Sequence, residues 1–233
     1  MNKLSIHYKW FFCAGILLFA FPFTMYAHTI NYSLETAPVK DVSWYYVRLG
    51  YNHIIPQGLD HILFVVGLCL ISKNLKTIIW QATAFTVAHS ITLAMSMKSI
   101  IIAPSAVVEP IIALSIVFIA VENLLIKELK PWRIFLVFMF GLIHGLGFAS
   151  SLNEIGLPRN QFALSILSFN VGVELGQISV ILAVFFCIIK PFSHRIQYRK
   201  EVVFPLSIAI GLVAAVWTVQ RIFFLDTIPL LLH

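Results

Sequence analysis

Four histidines and four carboxylates sit in or beside the long apolar runs of this chain: His53, His61, His89 and His144, with Asp60, Glu109, Glu122 and Glu174. Ionisable groups in such runs are costly, so each implies a partner or a task. Imidazole and carboxylate together suit nickel, cobalt, zinc or copper. The first group reads His53-Ile-Ile-Pro-Gln-Gly-Leu-Asp60-His61. Pro56 and Gly58 break the backbone there, which lets His53 fold back toward a helix opening near Asp60. The plainer reading makes Asp60 a helix N-cap and leaves His61 in the interface.

Depth sharpens the pattern. At a rise of 1.5 Å per residue, His89 lies about 12 Å inside its run, His144 about 10 Å and Glu109 about 6 Å, all from the same side. Asp60 and His61 lie at that surface, Glu174 is nearer the middle, and Glu122 is toward the opposite side. A metal site is therefore expected from Asp60, His61, His89 and His144, with His53 or Glu109 close by. Each histidine also has a packing alternative. His89 shares a face with Thr86 and Ser90, and His144 is flanked by Gly141 and Gly145, a spacing that permits close helix contact. Glu109 precedes Pro110, which marks either an interrupted helix at a transport site or an ordinary kink. Asn170, Glu174 and Gln177 follow helical spacing and form one polar stripe, a candidate path inward. Glu122 reads as an inner gate or a structural group.

The elements that must position these groups follow from composition. Of 233 residues, 60% are hydrophobic and only 11% charged, with mean hydropathy +0.92. A soluble domain carries about a quarter charged residues. Apolar runs at about 58–72, 77–97, 105–126, 132–151, 163–189 and 203–224 predict an all-α transmembrane bundle of six spans. Residues 1–27 read as an export signal or uncleaved anchor, with Lys3 and Lys9 before an apolar stretch. Residues 28–55 read as a short periplasmic or interfacial segment, 56–226 as the transmembrane domain and 227–233 as an outer tail.

The net charge of +6 lies in short gaps between apolar runs, which argues for topology and against nucleic acid. Lys73, Lys76, Lys127, Lys130, Arg133, Lys190, Arg195, Arg199 and Lys200 fall on one side; Lys40, Arg48, Lys98, Arg159 and Arg221 fall on the other. The positive-inside rule then places both mature termini in the periplasm of an inner membrane. Cys13, Cys69 and Cys187 form no CxxC and read as small hydrophobes. The segment Phe85–Ser96 echoes Phe140–Ser151, aligning His89 with His144. Such an echo suggests a parallel repeat, as some transporters have. No phosphate loop, GxSxG or HExxH occurs.

The motif His53-x6-Asp60-His61 before an apolar span resembles the opening motif of the HupE/UreJ family of membrane proteins. Phe85-Thr-x-Ala-His89-Ser-Ile-Thr-Leu, Val108-Glu109-Pro110 through Glu122-Asn123, Phe140-Gly-Leu-x-His144-Gly-x-Gly-Phe-Ala and Phe169-Asn-x-Gly-Val-Glu174-x-Gly-Gln177 look like the later blocks of its second branch. The resemblance covers about residues 50–180. It implies transition-metal permease activity, mainly for nickel, in hydrogenase or urease maturation. The better-studied branch carries two His in its later motif, whereas here only His144 stands.

Three functions follow as expectations. The first is a permease or facilitator for a divalent metal ion, nickel leading and cobalt, zinc and copper behind it. The second is an intramembrane metal-dependent hydrolase on the same His/Asp set, in which a Glu serves as base. The third is a non-catalytic assembly factor whose polar groups bind helices together. The lipid bilayer is the expected surrounding, and a homo-oligomer is compatible with the sequence.

Overall fold

A computed structural model describes residues 34–155 and 157–223. The expected signal (1–27) and outer tail (227–233) lie outside the described residues. Those described fold as an all-helical bundle: α1 Val39–Ile54, α2 Leu59–Ile71, α3 Leu75–Met97, α4 Ser105–Leu125, α5 Arg133–Ile155, α6 Phe162–Val184 and α7 Phe204–Phe223. A π turn at Phe185–Ile189 extends α6 to Phe192, and another at Arg199–Val203 leads into α7.

Four of these elements are long and apolar enough to cross a membrane alone: Leu75–Met97, Ser105–Leu125, Phe162–Phe192 and Arg199–Phe223. α1 and α2, bent by 69° where they meet, pass the same test as a pair. α5 contains a shorter apolar stretch, Arg133–Ala149. The bundle presents apolar side chains outward. On α4, Val107, Ile111, Leu114, Phe118, Val121 and Leu125 are exposed at alternating steps of four and three residues. Buried positions include His89, His144, Asn123, Gln177 and Arg133. Polar inside and apolar outside is the arrangement a lipid solvent demands.

Three tight helix pairs build the frame: α3 with α5, α1 with α6, and α4 with α7. α3 and α5 run parallel. Gly141 lies on the Phe85 carbonyl and Gly145 on that of His89, so close that a β-carbon at either would clash. The two echoing segments thus pack side by side, His89 beside the turn that holds His144. α1 and α6 are also parallel, with Gly172 against Val47 and Gly176 against Ile54. α4 and α7 are antiparallel, since Arg221 meets Glu109 while Arg199 donates to the Leu124 and Ile126 carbonyls. Those carbonyls end α4, and a guanidinium there satisfies orphan acceptors where the helix dipole is negative. The central α2 touches all three pairs.

Two features depart from the sequence expectation. Part of the 28–55 stretch forms α1, which lies along α6 with Val42, Tyr46, Gly50 and Ile54 buried at four-residue spacing. Its charged residues, Lys40, Asp41 and Arg48, occupy the exposed face, so the segment reads as polar overall. Arg133, counted among the loop charges, is 2% exposed and ion-paired with Glu122 at 3.2 Å.

Candidate metal centre

Where α1 ends, the chain turns back over itself. Gly58 lies directly against the His53 carbonyl, and only a residue without a β-carbon fits there. The turn starts α2 beside the end of α1 and sets His61 against His53, with ring centroids 4.7 Å apart. α3 delivers His89, whose ring lies 6.1 Å from His53 and 6.0 Å from His61. α5 delivers His144, 5.0 Å from His61. Ligand atoms of His53, His61 and His89 all fall within 4.8 Å of one another. An ion at about 2.0–2.1 Å from each nitrogen needs them at most about 4.2 Å apart, so a small inward shift would close the site.

All four Nε2 atoms are buried, and none has a hydrogen-bond partner. Two of the rings are held from behind. The Nδ1–H of His144 donates to the Phe140 carbonyl at 2.9 Å. The Nδ1 of His89 lies 3.2 Å from Asn170 Oδ1. Asn170 is itself oriented, because its Nδ2 donates to the Ile166 carbonyl at 2.8 Å. Both partners of the Nδ1 atoms are acceptors, so the proton sits on Nδ1 and the Nε2 lone pair is free. That is how the surroundings of a metal-binding histidine fix its tautomer. Phe64, Phe85, Phe148 and Phe169 pack around the rings and keep the pocket apolar.

The expected carboxylates take other places. Asp60 Oδ2 accepts from Arg221 Nη2 at 2.9 Å, and its Oδ1 is buried without a partner. Glu109 has an exposed side chain and meets Arg221 through its backbone carbonyl at 3.2 Å. Pro110 is accommodated inside continuous α4, so Glu109 lies in the first turns of a helix rather than at a break in one. Glu122 pairs with Arg133, whose Nη2 also donates to Asn123 Oδ1; Asn123 in turn donates to the Gly67 carbonyl. This network ties α5 to α4 and α2.

The polar stripe of α6 faces α3. Asn170 holds His89, Gln177 Oε1 lies 3.4 Å from Thr86 Oγ1, and Glu174 Oε1 accepts from Thr83 at 2.6 Å. Glu174 Oε2 and Gln177 Nε2 are buried without partners. Sequence reasoning placed Asn170 in a path but missed that it orients His89. It also missed Arg221 as the partner of Asp60. An Arg ending the last apolar run looks like a loop charge, and no local spacing marks it otherwise.

Comparison with known proteins agrees with this picture at the level of family. No curated protein and no solved structure matches the chain. The family described as HupE / UreJ protein matches residues 29–221, nearly all of the described chain. That family is associated with the transport of transition metals such as nickel and cobalt. The chain, an apolar helical bundle with a cluster of histidines inside it, belongs to the HupE/UreJ family.

Proposed function

We propose that this protein is a permease or facilitator for a divalent transition metal, with nickel as the leading cargo and cobalt, zinc and copper as alternatives. Six crossings of a bacterial inner membrane, with the lysine-rich end of the bundle in the cytoplasm, complete the reading. The observation that carries it is the set of four buried, unpartnered Nε2 atoms. In a bundle held only by packing, each such atom would be expected to find a donor, because an unsatisfied buried polar group costs about 1–3 kcal/mol. A divalent cation is what four lone pairs share.

In this reading His53, His61, His89 and His144 capture the ion, with Asp60 at their edge. The ion then passes along the α3–α6 seam, past Gln177 to Glu174, whose free Oε2 offers the next ligand. Glu109 takes no part through its side chain. Glu122, neutralised by Arg133, shapes the inner end without binding cargo.

Purified protein in liposomes loaded with a metal-sensitive dye tests the proposal. Nickel or cobalt entry that is lost in both His61→Ala and His89→Ala supports it. Tight metal binding without entry would reject transport and leave the hydrolase. No binding at all would leave the assembly role.

A further inference from the structure

Among the described residues, two ion pairs join helices of this bundle, and they differ in kind. Glu122–Arg133 is sealed, with side chains 2–3% exposed. Asp60–Arg221 is about a quarter exposed, 26% and 25%. A sealed pair resists opening, because either partner would be left buried and uncompensated. A partly hydrated pair is weak and can exchange partners. The open pair is also the one near the histidines, since the charges of both Asp60 and Arg221 act on His144.

Arg221 has somewhere else to rest. Its Nη1 donates to the Glu109 carbonyl at 3.2 Å, and its guanidinium lies 5.7 Å from the Trp217 ring. Neither contact is made through Nη2. Asp60 has one oxygen on Arg221 and the other buried and free. His89 and His144 present free Nε2 lone pairs, and imidazoles bring no negative charge to the cluster. Asp60 is therefore the nearest source of negative charge in sequence to the cluster, and Arg221 cancels it.

We propose that Arg221 is a displaceable counter-cation of the metal site, holding Asp60 in the empty state and yielding it to an arriving divalent ion. The inference rests on the metal reading above and adds to it a competitor built into the last turn of α7. An ion arriving among neutral imidazoles brings two uncompensated charges into a medium that screens them poorly. Release of Asp60 lowers that charge by one and moves Arg221 away from a like charge. Metal occupancy and the attachment of α7 to α2 thus become alternatives. Arg221 is a positioning residue in this scheme, since it acts on cargo only through Asp60.

Titration of the purified protein with Co²⁺, followed by its visible absorption, tests this. Arg221→Gln should bind Co²⁺ at least tenfold more tightly than wild type. Asp60→Asn should bind more weakly, and Arg221→Gln should have no effect in an Asp60→Asn background. That background separates competition from a general change in stability. Arg221→Lys, which keeps the charge but loses the fork, should fall between wild type and Arg221→Gln, and it serves if the Gln variant does not fold. Unchanged or weaker binding in the Arg221 variants overturns the inference while leaving the metal reading intact. A wild type that takes up no Co²⁺ overturns both.

Discussion

Asn170 Oδ1 on α6 sits 3.2 Å from His89 Nδ1 on α3, while its own amide nitrogen is held by the Ile166 carbonyl. One side chain therefore fixes both the ring angle and the tautomer of a buried histidine 81 positions away in the sequence.

Asn170→Leu should leave the bundle folded and weaken metal binding by about 10- to 100-fold, the usual cost of removing an orienting partner. Equilibrium dialysis with zinc or cobalt measures it. Unaltered affinity would mean that His89 is not a ligand.

The fold was legible where a bilayer leaves its mark on sequence. Apolar runs at 105–126 and 203–224 correspond to Ser105–Leu125 and Arg199–Phe223, because spanning demands length and apolarity together. α1 escaped the same reasoning. Its buried stripe of Val42, Tyr46, Gly50 and Ile54 is one residue wide, and Lys40, Asp41 and Arg48 dominate the average. At the site, residue types pointed to the histidines, and the backbone break at Pro56 and Gly58 pointed to the reversal. The partners were hidden, since Arg221 is 161 residues from Asp60 and no periodicity links them.

Glu174→Gln should express and melt like wild type, because a Gln oxygen still accepts from Thr83. Metal binding at the histidines should be retained, while transport into liposomes falls at least tenfold. Equal loss of binding and transport would place Glu174 in the capture site instead.

Glu122→Ala should strip Arg133 of its buried counter-charge and destabilise the protein by about 3–5 kcal/mol. Glu122→Leu combined with Arg133→Met should recover most of that loss. Thermal unfolding in detergent reads both. A double variant as unstable as the single one would show that the pair does more than compensate itself.

Orientation can be read chemically. Single cysteines replacing Lys98 and Lys127, in a background without Cys13, Cys69 and Cys187, should react with an impermeant maleimide from opposite sides. In intact cells only the position-98 thiol should label, since the lysine-rich end of the bundle is expected inside. Labelling at position 127 would invert the topology.

α2 has 13 residues, a length of about 20 Å against a hydrocarbon core of about 30 Å. It carries Asp60 and His61 at its start; α1 precedes it, while its neighbours α3, α4, α6 and α7 follow it in the chain. During synthesis it therefore emerges before most of the helices that shelter it. Too short to be held by lipid alone, and charged at one end, it settles only when the later helices arrive. Biogenesis thus has a natural quality check: the histidine cluster is completed only by later helices, and a chain truncated before α7 would lack both part of the packing around α2 and the cation that neutralises Asp60.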